Sequence, residues 1–176
     1  AHAGYLLVAV MASMIFAGDS DRALWVLFFY LFVYMFASFG VFGVMSLAEL
    51  DDENEHEFSD YEGMAKKQPF LAFTLVCGIA SLAGIPPFAG FIAKLLLFSV
   101  AFEAGLYFSL AAMVIGVVIS IYYYFGWIRE ICFQPRPSFE DDEPRKDPWA
   151  KITDFGVIKL TLVVLTIVSL VLGVWQ

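Results

Sequence analysis

The sequence predicts an all-α protein: a polytopic bundle of about six transmembrane helices, one of them broken. Three observations predict it. Hydrophobic residues make up 61% of the 176-residue chain and charged residues only 16%, against about a quarter charged in soluble domains. The apolar residues fall in runs long enough for membrane helices, which need about 20 mostly apolar residues. One run, longer than a single span requires, is interrupted by Gly84-Ile85-Pro86-Pro87.

In chain order, residues 1–17 give a first span, opening in "AHAGYLLVAVMASMIFA" with no basic flank or cap. Residues 23–49 give a second, followed by the charged loop 50–68. The stretch 69–103 is too long for one helix. Proline stops helices and restricts the residue before it, so the stretch divides into spans 69–84 and 88–103. Residues 106–129 form a fifth span, residues 130–155 a second polar loop, and residues 156–175 a sixth span. The whole chain, 1–176, reads as one membrane domain. There is no initiator methionine and no signal-peptide pattern, so the chain is expected to be a fragment lacking helices upstream.

The net charge of −8 belongs to the loops: eight of the 18 acids lie between Glu49 and Glu62, six between Glu140 and Asp154. This pattern argues against nucleic acid as a partner and for a lipid bilayer. Cys77 and Cys132 have no motif spacing, so neither a disulfide nor a metal site is expected. With six alternating spans, residues 18–22, 84–87 and 130–155 share one side. That side carries Arg22, Arg136, Arg145, Lys146 and Lys151, against Lys66 and Lys67 opposite. The positive-inside tendency makes it cytoplasmic and turns the acidic loop 50–68 outward. Trp25, Trp127, Trp149 and Trp175 fall near span ends, where aromatic belts form.

Of the basic and acidic residues, only Lys94 and Lys159 lie inside apolar runs. Lys159 is near a span end, and its stem can reach the interface. Lys94 is too central for that. A mid-bilayer lysine costs roughly 2.5–3.5 kcal/mol on insertion scales, and such residues face a bundle interior or wet cavity and mark ion pathways. Gly90, four residues earlier, lets backbone or water approach its face. Gly84, Pro86 and Pro87 leave backbone carbonyls nearby without helical partners, an irregularity tolerated at membrane depth where protein encloses it. Desolvation favours the neutral amine and a nearby carboxylate favours the ammonium. A lysine held between them is suited to relaying protons. The alternative is a lysine ion-paired with an acid on another helix merely to fix packing.

Polar residues recur at helical spacing elsewhere. Thr74, Cys77, Gly78 and Ser81 share a face, as do Ser109, Gly116, Ser120, Tyr123 and Trp127. His2 and Tyr5 are one turn apart, and so are Tyr34 and Ser38. These stripes serve either helix packing or a proton path. His2 is the best relay candidate among them, with an unperturbed pKa near 6.5. "YYYFGWIRE" reads as an interfacial belt ending in an Arg129–Glu130 pair, with Glu130 as a proton entry point the competing reading. "DENEHE" reads as a solvated charged loop, with weak cation binding the competing reading. No phosphate loop, nucleophile triad or zinc cluster is present in the sequence.

"SLAGIPPFAGFIAKLLLF" resembles the second-half signature of the antiporter-like subunits of proton-pumping NADH:quinone oxidoreductase, respiratory complex I. "AHAGYLLVAV", the "YEG" ahead of "QPFLAF", and "SIYYYFGWIRE" match that family in order and spacing. Among its three antiporter-like subunits, "GFIAKLLLF" is most similar to subunit N, counterpart of mitochondrial subunit 2. One sister subunit carries glutamate at the position of Lys94, and the other follows its lysine with an acid where Leu95 stands here. The likeness covers nearly the whole chain, though the two terminal spans match mostly in hydropathy.

The resemblance implies the greater part of the second of two inverted repeats, with Lys94 on a broken helix as proton relay. It also implies partners: the missing N-terminal half of the subunit and the other membrane-arm subunits. NADH, FMN, iron–sulfur clusters and quinone are then expected in the parent complex, with no cofactor or metal in this chain. A bacterial inner membrane is the expected location. A subunit of a multisubunit cation/proton antiporter, sharing the signature, is the first rival, and a packing scaffold without proton transfer the second.

Overall fold

A computed structural model of the chain describes residues 2–16, 21–49, 61, 63–133 and 156–174. Among these residues all regular structure is helical, in seven helices: α1 (His2–Ile15), α2 (Asp21–Glu49), α3 (Met64–Lys67), α4 (Pro69–Ala83), α5 (Ala89–Glu103), α6 (Tyr107–Cys132) and α7 (Gly156–Val174).

α2 runs 29 residues without a proline, about 43 Å at 1.5 Å per residue. In a hydrocarbon environment the backbone must satisfy itself, so its many aromatic and β-branched residues stay helical. α4 places Pro69 at its first position, where the missing N–H is no loss. It ends on Gly84, whose φ of 81° is left-handed. The Gly84 N–H bonds to Ala80 O and Ser81 O, both at 3.1 Å, and the Ile85 N–H to Ala80 O at 3.0 Å. Pro86 and Pro87, joined by a cis peptide, cannot continue the helix. The Phe88 N–H then bonds to Ile85 O at 3.0 Å, and α5 starts one residue later.

Two apolar clusters divide the bundle along its length. One joins α1, the first half of α2 (Ala23, Val26, Tyr30, Val33), α5 and Met113 near the start of α6. The other joins the second half of α2 (Val41, Val44, Leu47), α3, α4, Ile131 at the end of α6 and Leu162 of α7. α4 and α5 therefore lie end to end beside α2. Arg22 at the start of α2 pairs with Glu103 at the end of α5 at 2.8 Å, so the broken helix runs opposite to α2. At the other end of the bundle, the Gly63 N–H bonds to Glu130 O at 3.2 Å.

This arrangement corrects the expected six spans. Residues 69–84 and 88–103 are not successive crossings joined at a surface; they are two halves of one interrupted rod. Proline and left-handed glycine stop a helix wherever they stand, and at 84–88 they interrupt it without reversing it. Two placements change with it. Residues 84–87 leave the end occupied by Arg22 and sit midway along the bundle. Gly63 and Glu130, from the two loops expected on opposite sides, meet at the same end. Lys159 and residues 50–60, which include "DENEHE", lie outside the described side chains.

Candidate functional site

Lys94 stands in the second turn of α5. Helical side chains lean toward their own N-terminus, so its stem runs back across the first turn of α5 to the end of α4. There Nζ donates to Leu82 O at 2.8 Å and to Ala83 O at 2.7 Å. A helix end leaves its last carbonyls without partners. Gly84 and Ile85 satisfy Ala80 and Ser81, and Lys94 takes the next two. Its ammonium thus caps the negative end of the α4 dipole. Only 4% of the residue is exposed, and no carboxylate pairs with it among the described residues. The helix terminus fills the role that an acid would otherwise fill.

Two glycines make room for this. A Cβ on Gly84 would lie 2.9 Å from Lys94 Cδ. One on Gly90 would collide with the Ser81 backbone carbonyl, and the Gly90 N–H meets Ser81 Oγ at 3.3 Å. From the other side Gly173 of α7 rests on the backbone of Pro87 and Phe88, where a Cβ would also collide.

Nζ stands 5.8 Å from the centroid of the Tyr5 ring, a cation–π distance. Beyond Tyr5 is His2. Its Nδ1 is 2.8 Å from the Tyr30 hydroxyl and its Nε2 is 3.3 Å from the Tyr124 hydroxyl. Its ring stacks on Tyr34 at 4.8 Å. A cavity of ≈ 10 Å³ is lined by His2, Tyr30, Tyr34, Ser81, Gly90 and Lys94 together, so the histidine and the lysine face one space. With its two ring nitrogens bonded to hydroxyls, His2 can pass a proton between two tyrosines.

Of the sequence candidates, the fold thus gathers Lys94, His2, Tyr5, Ser81, Gly84 and Gly90. Ser120 adjoins the Tyr5 hydroxyl and donates to Gly116 O at 2.7 Å. Thr74 is buried two turns away on α4. Tyr123, 57% exposed, faces outward. Glu130 pairs with its exposed neighbour Arg129 at 3.0 Å, at the far end of α6 from Tyr5 and its Met113 contact. Pro86 and Pro87 shape the break, and their rings are exposed. Sequence reasoning passed over Tyr30 and Gly173, and it assigned Tyr124 to a surface belt. The Tyr30–Tyr34 spacing of one turn was the available signal; for Gly173 there was none.

A bundle of apolar helices, one interrupted midway with a cation seated at the interruption, defines a polytopic membrane protein of transporter-like build. A family model described as NADH:quinone oxidoreductase/Mrp antiporter, TM, matches residues 1–120, and the chain belongs to that family. It is 43% identical over 176 residues to NADH-quinone oxidoreductase subunit N 1 of Opitutus terrae, covering 99% of this chain and 34% of that protein. It is 33% identical over 172 residues to NADH-quinone oxidoreductase subunit N of Phocaeicola vulgatus, covering 98% and 33%. The chain thus spans about a third of the length of these curated relatives. Among solved structures, respiratory complex I from Thermus thermophilus with bound aureothin matches with a TM-score of 0.73 and 28% identity, over 99% of this chain and 35% of that one. The Mrp complex from Dietzia sp. DQ12-45-1b matches with a TM-score of 0.65, over 97% and 43%; at 19% identity it shares the fold alone.

Proposed function

We propose that this chain is the C-terminal part of a proton-translocating membrane-arm subunit of a bacterial NADH:quinone oxidoreductase, with Lys94 as the group that takes up and releases the proton. The observation that carries it is a buried ammonium held by two backbone carbonyls and facing His2 across a shared cavity. Such a cation has no counter-charge among the described residues, so its proton is sensitive to charge arriving nearby. At an effective dielectric near 20, a unit charge about 4 Å away contributes about 4 kcal/mol, enough to load or unload it. His2, with Tyr30 and Tyr124, is the proposed path on the α1 side, and Tyr5 and Ser120 line it.

The rest of the subunit and the other membrane-arm subunits are the proposed partners. NADH, flavin, iron–sulfur clusters and quinone are assigned to the parent complex, and no redox centre to this chain. In the inner membrane the chain makes five crossings, α4 and α5 together forming one. Recounted for that arrangement among the described residues, Lys66, Lys67 and Arg129 stand at one end and Arg22 at the other. The positive-inside tendency then makes the end where Gly63 meets Glu130 cytoplasmic: Glu130 keeps the side expected from six spans, whereas Lys66 and Lys67 exchange sides with Arg22.

Lys94→Met in the full-length subunit is expected to abolish or sharply cut proton pumping in reconstituted vesicles while the complex still assembles. An unchanged proton-to-electron stoichiometry would sink the relay. The family description, which names Mrp antiporters beside NADH:quinone oxidoreductase, favours a second reading, a cation/proton antiporter subunit. Sodium transport without NADH oxidation by the purified assembly would select it.

A further inference from the structure

A second cavity, also of ≈ 10 Å³, lies between α2, α4 and α7, with Ala37, Thr74, Cys77, Thr166 and Ser169 among its walls. That is about the volume one water molecule needs. Thr74 and Ser169 are 2% and 6% exposed, and neither hydroxyl has a hydrogen-bond partner among the described residues. Thr166 Oγ1 donates to Leu162 O at 2.8 Å, which leaves its lone pairs able to accept. Buried hydroxyls are nearly always bonded. Two orphans from different helices, facing one space of that volume, call for a small partner that both donates and accepts.

The cavity is also placed to matter. Thr74, Gly78 and Ser81 follow one another on a single face of α4, and Ser81 lines the Lys94 cavity. Ala37 lines both cavities. The wall between them is a bare contact of α2 with α4: a Cβ on Gly78 would sit 2.7 Å from Val41 Cγ2 and 3.3 Å from Ala37 O.

We propose that the Thr74–Ser169 cavity is a water site and that its water relays protons between the α4 end of the bundle and Lys94, on the side away from His2. The water accepts one proton and gives up another, so water and hydroxyls keep their composition after each transfer. This gives α7 a part in the chemistry through Ser169. The role rests on Lys94 being the proton carrier, so both must be tested together.

The test uses the whole complex. A high-resolution map of the wild type is expected to show ordered density bridging the two hydroxyls, and a map of Thr74→Val/Ser169→Ala is expected to lack it. The double variant should pump about fivefold more slowly, the equivalent of one hydrogen bond lost from the path. Thr74→Ser, which keeps the hydroxyl, should pump at the wild-type rate. No density in the wild-type map, or full pumping by the double variant, overturns the proposal. Lys94→Met measured alongside separates the two ideas. If it stops pumping while the double variant pumps normally, only the water site fails. If it pumps normally, the reading of Lys94 fails. Should the double variant not assemble, the wild-type map decides.

Discussion

α2 and the α4–α5 pair traverse the same bundle side by side, in opposite directions and by different means. α2 does it in one unbroken helix of 29 residues; its partner uses two helices of 15 and a turn between them. Both are apolar and both are well packed. The difference is that the interrupted rod presents a helix C-terminus midway along the bundle. Unbroken, α2 keeps its carbonyls within its own ladder at that level. α4 offers Leu82 and Ala83 to a side chain from the next helix, and an ammonium can rest there without an acid. Interruption is thus how a fold makes a polar seat from backbone alone.

Four substitutions break or sharpen that contrast. The largest effect is expected from Gly90→Ala, whose Cβ would strike the Ser81 backbone carbonyl. Backbone cannot yield as a side chain can, so the two half-helices must separate, at a cost of about 3 kcal/mol or more. Loss of the assembled subunit on native gels is the readout; normal assembly would refute the close approach. Gly84→Ala comes next. It forces a side chain into a left-handed position, costing about 1–2 kcal/mol, and pushes on the Lys94 stem. Pumping should fall more than subunit abundance does, and equal losses would show a merely structural role.

Tyr30→Phe removes the 2.8 Å contact to His2 Nδ1 while keeping the ring. A hydrogen bond of this kind contributes about 1 kcal/mol, and the proposed path should slow by about fivefold. An unaltered pumping rate would exclude Tyr30 from the path. Gly40→Ala, in the unbroken partner, is the control. Nothing lies within 4 Å of its added Cβ, and alanine is the better helix former by about 1 kcal/mol. Gly40 also lines the Thr74–Ser169 cavity, so this control reads subunit abundance alone, which should hold or rise slightly. A loss comparable to that of Gly84→Ala would erase the distinction between the two rods.

The fold class and Lys94 were legible because each depends on composition over distance: long apolar runs, and one cation far from any run's end. The direction of the chain after Gly84 was not legible. Gly-Ile-Pro-Pro signals that a helix stops, and hydropathy around it is equally apolar whether the chain turns back or goes on. That single ambiguity set Lys66 and Lys67 at the end opposite Glu130, whereas Gly63 and Glu130 meet at one end. His2 was found through its chemistry, but its tyrosine partners come from α2 and α6, 28 and 122 residues away. Aromatic residues abound in every run here, so type alone could not select Tyr30 and Tyr124 over Tyr122 and Tyr123.

Gly173 has a wider consequence. With no side chain between them, the last helix touches the peptide units of Pro87 and Phe88 directly, and those units lead into the helix bearing Lys94. A sideways displacement of α7 has no soft methylene groups to absorb it and must be passed on to the bend. The terminal helix is therefore a mechanical input to the buried amine as well as a wall around it.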